Sequence, residues 1–240
     1  MTVVLPPMAD AQAEGWSAIL DLHETCPTGW TLVGGQMVHL HCAERRAPVM
    51  RPTDDLDLVL DVRAEPAALL SVTTALVERG FSSQGETWNG HHHRWVRGQA
   101  SIDVLIPRWL GERAAGRKGA SGGTTLETPG AQQALDRTEE VAVDLADRTG
   151  SVRRPNLLGA LVAKAAAHTI TLDRARQRHR IDFVVLTTLI GPTDMIETAS
   201  KRDRHYLMAM IGAVEADRRT LLGVEGARDG VDVLRMLLDG

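Results

Sequence analysis

Three groups of residues in this chain of 240 have the types and spacing that phosphorus chemistry needs. Gly34-Gly35 ends an apolar run, Trp30-Thr31-Leu32-Val33. Asp55-Leu56-Asp57 opens a second run, and Asp103 interrupts a third, Ser101-Ile102-Asp103-Val104-Leu105-Ile106. A glycine pair lets backbone approach a phosphate, and a helix starting there offers free N–H groups and a positive dipole end. Alternate residues of a strand share a face, so Asp55 and Asp57 point together while Leu56 turns to the core. Two neighbouring carboxylates repel unless a divalent cation lies between them. Mg²⁺ is commonly held by one or two carboxylates plus phosphate oxygens and water. A third carboxylate on an adjacent strand completes a site for in-line displacement at phosphorus. Each group alone has a plainer use, as a turn, a solvated strand edge or a paired buried acid. Their order along one chain points to a nucleoside triphosphate with Mg²⁺ (or Mn²⁺).

These groups need elements to hold them. Helical periodicity runs over residues 11–24, a short strand over 30–33 and a helix over 36–43. Residues 54–62 alternate most clearly, with Leu56, Leu58 and Leu60 on one face and Asp55, Asp57 and Val59 on the other. A helix over 66–79 stops at Gly80. Strands over 92–96 and 101–106 are joined by the turn Arg97-Gly98-Gln99-Ala100. Residues 111–123, rich in Gly, Ala, Arg and Lys, read as a mobile loop. A short helix over 131–137 precedes a hairpin of 141–145 and 151–154 around Asp147-Arg148-Thr149-Gly150. Beyond Pro155 the pattern is helical: 156–169, 173–189, 195–221 and 231–238. The expected fold is therefore α/β (α+β). A small mixed sheet flanked by helices occupies residues 1–154, and a helical C-terminal bundle over 155–240 closes the cleft.

The bundle carries a second constellation. Only three lysines, Lys118, Lys164 and Lys201, stand among 27 lysines and arginines, and Lys164 lies within Leu161-Val162-Ala163-Lys164-Ala165. A cation in such a stretch is costly unless paired. If the helices around it turn near residues 171–173, Lys164 and Asp182 both lie about 12–15 Å from the turn and face each other. Asp182 can then orient Lys164 toward triphosphate oxygens. The plainer use of the pair is to fix the register of two helices.

Composition removes other classes. Apolar residues make up 43% and charged residues 24%, values of an ordinary folded chain, and the net charge of −4 does not suit a general nucleic-acid coat. Cys26 and Cys42 have no metal-type spacing, and no apolar run reaches membrane length, so a reducing cytoplasm is expected.

The run Leu32-Val33-Gly34-Gly35, followed by Arg51-x-Thr53-x-Asp55-Leu56-Asp57-Leu58, resembles the signature of the nucleotidyltransferase superfamily. More narrowly it is similar to the AbiEii/MenT type, found as toxins of toxin–antitoxin pairs and as stand-alone transferases. That family adds a later strand aspartate, a helix with Lys and a helix with Asp in a basic setting. Asp103, Lys164 and the run Arg178-His179-Arg180-Ile181-Asp182 match these. The likeness spans residues 31–189 and leaves the tail after Leu189 unmatched. Gly35 and Asp55 stand further apart than in many members. Asp54 adds an extra acid, and strand parity favours Asp55 and Asp57 over it.

The resemblance implies transfer of a nucleoside monophosphate to a hydroxyl with release of pyrophosphate. Asp55 and Asp57 bind the metal, and Asp103 is a third ligand or helps deprotonate the acceptor. Gly34, Gly35 and Thr53 contact the nucleotide, Lys164 neutralises its charge, and Asp182 supports Lys164. The implied acceptor is a tRNA 3′ end or a small molecule, with a cognate antitoxin as a further partner. A member of the fold that binds nucleotide or a partner without turnover is the alternative, and a phosphotransferase is another. His91-His92-His93 cannot grip one ion, because consecutive strand residues alternate faces, which leaves His93 as an acceptor-binding candidate. Trp88 and Trp95 could stack a base, though core packing suits them as well. Arg108, Arg113, Arg117 and Lys118 form a basic loop that could grip RNA or pyrophosphate.

Overall fold

The computed structural model describes residues 2–87, 90–146, 148–173 and 175–239. Trp88 and Asp147 of the readings above lie outside the described residues. The first helix, α1 (Asp10–Thr25), buries Trp16, Ile19, Leu20 and Leu22. β2 (Trp30–Val33) follows, then α2 (Gly34–Glu44) and β3 (Leu56–Leu60). α3 (Ala68–Glu78) leads to β4 (Ser82–Ser83), β5 (Arg94–Arg97) and β6 (Ala100–Pro107). Residues 111–123 contain a short helix, α4 (Glu112–Ala115), and the Ala120 N–H donates to the Thr73 hydroxyl at 2.8 Å. β7 (Leu126–Thr128) and α5 (Ala131–Leu135) complete this part. The main sheet runs β2-β3-β6-β5-β4, with β7 pairing β6. β3 and β6 are parallel, whereas β2 and β5 run antiparallel to their neighbours. A smaller sheet joins β1 (Val3–Val4) to the hairpin of β8 (Thr138–Leu145) and β9 (Arg148–Pro155).

Alternation along β3 divides its faces. Leu56, Leu58 and Leu60 enter the main core, where Leu56 packs against Gly15 of α1. Val59, on the other face, packs with Val33, Ala131 and Ala134 beneath α5. The opposite face is thus covered at the C-terminal end of β3 and open at its start, where the aspartates lie.

α6 (Leu157–Ala167) and α7 (Gln177–Thr188) form the expected pair, packed beside α2. Beyond them the expected single helix over 195–221 is not one helix. A 3-10 turn (Ile196–Thr198), α8 (Lys201–Glu215) and α9 (Arg218–Leu222) take its place. Two caps cause the breaks. The Ser200 hydroxyl accepts the Asp203 N–H, and the Asp217 carboxylate accepts the Thr220 N–H. α10 (Ala227–Asp239) closes the chain against α7. Among the described residues no helix is long and apolar enough to cross a membrane.

Candidate active site

Sheet register assembles one row of side chains. Val33 of β2 pairs with Asp57 of β3, Asp57 with Asp103 of β6, and Asp103 with Arg94 of β5. Register partners share a face, so Asp57, Asp103 and Arg94 stand side by side. Asp55, two residues before Asp57, has the same parity. These four line a cavity of about 580 Å³ together with Gly34, Gly35, Thr53, Arg51 and Lys164.

The glycines serve this row in a way the sequence does not announce. Gly34 has φ +70°, and a Cβ there would lie 1.7 Å from Asp57 Oδ2. A Cβ on Gly35 would come within 2.5 Å of the Thr53 side chain. The space that the glycines free is therefore filled by Asp57 and Thr53, rather than kept only for a phosphate. Thr53 in turn positions Asp55. Its hydroxyl donates to Asp55 Oδ1 at 2.8 Å, while its carbonyl accepts the side-chain amides of Gln12 and Gln36, each at 2.5 Å.

Charge is unevenly satisfied along the row. Arg94 donates twice to Asp103, at 2.7 and 2.6 Å, and reaches within 3.5 Å of Asp55. Burial, and then the charges of Asp103 and Asp55, push the Asp57 carboxyl up to about 7. Among the described residues no three His, Cys, Asp or Glu side chains form a ready ligand group for a metal. The expected trio Asp55, Asp57 and Asp103 shares a face without forming such a group, and the Arg94 guanidinium holds both oxygens of Asp103. Asp55 and Asp57 do fit a divalent cation. They are hard oxygen donors on one face, and Asp57 carries a charge that its surroundings oppose and that a cation would relieve.

The helical wall is the reverse. Lys164 is only 4% exposed, and its Nζ donates to Asp182 Oδ2 at 2.6 Å. Arg51 donates to both oxygens of Asp182, at 2.7 and 2.8 Å. Burial alone would push Asp182 up, but Lys164 and Arg51 outweigh it and hold this carboxyl at about 2. Lys164 and Arg51 line the cavity, so Asp182 holds two cations at its edge. The hairpin geometry expected for Lys164 and Asp182 is present, and it also fits the plainer use as a helix register pair.

Several lining residues were not singled out for the site from sequence. Arg51 was read only as part of a motif. Arg94 could have been found by counting back from the turn over 97–100, which pairs it with Asp103. Arg178, His179 and Asp173 also line the cavity and had no such signal. His93 lines it as well. His91 and His92 bond elsewhere, to Thr124 and Ser83. Trp95 is buried in the core, out of reach for stacking. Among the described lining residues none comes from the basic loop of Arg108, Arg113, Arg117 and Lys118.

No protein-family model matches the chain, and neither does any curated protein. Among solved structures, it is similar to an antigenic nucleotidyltransferase-like protein from Paracoccidioides brasiliensis. The TM-score is 0.50 and the identity 12%, over 91% of this chain and 95% of that one. It also matches the antibiotic-resistance factor ANT(2'')-Ia, with TM-score 0.47 and 15% identity over 87% and 96% of the two chains. The first likeness gives this chain a nucleotidyltransferase-like fold: a mixed sheet flanked by helices.

Proposed function

We propose that this protein transfers a nucleoside monophosphate from a nucleoside triphosphate to a hydroxyl group and releases pyrophosphate. The observation that carries this reading is the row Asp57–Asp103–Arg94 with Asp55, set on one face of the sheet and opposite Lys164 across one cavity. Residues 1–154 form the nucleotidyltransferase-fold region, and residues 155–240 form the helical region that closes the cleft.

Asp55 and Asp57 hold Mg²⁺, which on binding supplies charge neutralisation at the phosphates and orients the scissile phosphorus. Thr53 fixes the Asp55 carboxylate, and Gly34 leaves room for that of Asp57. Lys164 and Arg51 bring positive charge to the triphosphate from the helical side, held in place by Asp182. Asp103 lies beside Asp57 and serves the acceptor hydroxyl once Arg94 releases it. Within this reading the chain is a cytoplasmic transferase similar to the AbiEii/MenT type, some of whose toxins add nucleotides to tRNA 3′ ends; its acceptor is a tRNA 3′ end or a small molecule, with a cognate antitoxin as a further partner.

A second reading has one observation in its favour. Arg94 occupies Asp103 as an internal cation would, which suits a protein that binds nucleotide without turnover. Pyrophosphate release separates the two. The purified chain is incubated with each ribonucleoside triphosphate, Mg²⁺ and total tRNA, and pyrophosphate is measured. Mg²⁺-dependent release that vanishes in Asp57→Asn supports transfer. Nucleotide binding without release supports the second reading, and release of the nucleoside diphosphate instead indicates a phosphotransferase.

A further inference from the structure

Arg94 stands within the row of carboxylates, whereas Lys164 and Arg51 face the row from the helical wall. The pairing of β5 with β6 sets Arg94 beside Asp103 on the same face. Its carbonyl accepts the Gln84 N–H at 2.9 Å, which ties this end of β5 to the chain before it. Nε and Nη2 donate to the two oxygens of Asp103 at 2.7 and 2.6 Å. Such a forked contact fixes both the plane and the position of a guanidinium. The same Nη2 lies 3.5 Å from Asp55 Oδ2. One nitrogen is thus in charge contact with two of the three carboxylates, and Arg94 makes no such contact with Asp57.

A divalent ion shared by Asp55 and Asp103 would have to meet these same two carboxylates, at about 2.0–2.1 Å for Mg²⁺. An ion so placed would lie within about 5 Å of Nη2, since both would stand on Asp103, and like charges that close repel. An ion between Asp55 and Asp57 meets no such rival, because Asp57 is the carboxylate that the guanidinium leaves alone.

Charge balance leads to the same division. Asp55, Asp57 and Asp103 carry three negative charges when ionised. The guanidinium and one divalent ion match them. Two divalent ions would exceed them and leave the guanidinium without an anion of its own. On the transfer reading, the charge of the triphosphate is met from the opposite wall by Lys164 and Arg51, which line the same cavity.

We propose that Arg94 takes the place of a second divalent ion, so that the row holds a single ion, at Asp55 and Asp57, while nucleotide is bound and the acceptor is absent. This rests on the transfer reading above and fixes its metal count. Arg94 is a positioning residue here: it acts through Asp103, which it holds in the row until the acceptor hydroxyl arrives.

The test counts ions. Each protein is saturated with α,β-methylene analogues of the four ribonucleoside triphosphates in turn, which cannot be cleaved to pyrophosphate, and is titrated with Mn²⁺. Electron paramagnetic resonance reads the free ion. The wild type is expected to bind about one Mn²⁺ per chain, and Arg94→Met about two. Arg94→Met combined with Asp103→Asn loses the second position and should return to about one. If Arg94→Met melts early, Mn²⁺ should raise its melting temperature more than that of the combined variant, because the ion replaces the lost partner of Asp103. Two ions on the wild type overturn the proposal. So does one ion on a folded Arg94→Met, or equal stabilisation of the two variants by Mn²⁺. In those cases the transfer reading stands. A wild type that binds no Mn²⁺ beyond what the free analogue carries removes the metal from Asp55 and Asp57, and both readings fall together.

Discussion

The two walls of the cavity solve opposite electrostatic problems. On the sheet, Asp57 is crowded by Asp103 and Asp55, and its carboxyl is pushed up to about 7. On the helices, Asp182 is just as acidic by type, yet two cations hold it at about 2. On one wall the Arg94 guanidinium is taken up by Asp103 and Asp55 and leaves Asp57 crowded, and the other wall has its charges already matched. A folded chain has no reason of its own to keep a mismatched carboxylate, so the sheet wall is where a charged ligand belongs. The matched wall serves to place Lys164 and Arg51. The pH signs follow. Asp57 has a folded value above the ordinary 3.8, so its contribution to stability is present below about pH 4 and is lost as pH rises through 7. Asp182 has a folded value below 3.8, so its contribution is present above about pH 4 and is lost as pH falls toward 2.

The sharpest way to break this contrast is Asp57→Asn. Turnover with Mg²⁺ should fall by about a hundredfold or more. The metal-free protein should melt at the same temperature or higher, with the gain largest above pH 7. An unfolded variant would mean that Asp57 is matched after all. Asp182→Asn should do the reverse, leaving the buried Lys164 and the half-buried Arg51 with too little countercharge. A stability loss of about 3–5 kcal/mol is expected in denaturant titration. That variant should also lose the acid limb of the stability profile between about pH 4 and pH 2; an unchanged limb would remove Asp182 from it.

Lys164→Met tests whether the matched wall also serves a ligand. Nucleotide affinity should fall by about tenfold, equivalent to roughly 1.4 kcal/mol. Some stability should go too, less than for Asp182→Asn, because Arg51 still grips Asp182 through both oxygens. Stability lost with affinity intact would leave Lys164 as a helix register pin only. The smallest effect belongs to Thr53→Val, which keeps the shape but drops the hydroxyl that holds Asp55. A few-fold rise in the Mg²⁺ needed for half-maximal binding is expected, with melting nearly unchanged.

What the sequence disclosed here follows from what local pattern can carry. Alternation along β3 placed Asp55 and Asp57 on one face and Leu56, Leu58 and Leu60 on the other, because strand parity is a property of consecutive residues. The helical spacing of Lys164 and Asp182 was similarly local. Arg94 on Asp103 and Arg51 on Asp182 depend on which strands and loops meet, which no local pattern states. Asp173 and His179 lie six apart across a turn and a helix start, a spacing that matches neither period. The break at Ser200 was legible in principle as a cap with Asp203 three residues on, but apolar periodicity on both sides masked it. The place of Asp57 beside Gly34 was not legible, because a missing side chain does not say which neighbour takes its place.

The parallel pairing of β3 with β6 sets Asp57 beside Asp103, and it also sets Leu58 beside Val104. Slide β6 by one residue and every side chain changes face. Asp103 would then be driven among the leucines beneath α1, while Ile102 and Val104 would be left in the cavity. Assembly of the sheet is therefore proofread by the charges that the cavity collects. A mispaired chain is too costly to persist as a quiet, well-folded but inactive form. Molecules that finish folding arrive with Asp57 and Asp103 already aligned, so the yield of folded protein and the yield of correctly registered sites should be the same quantity.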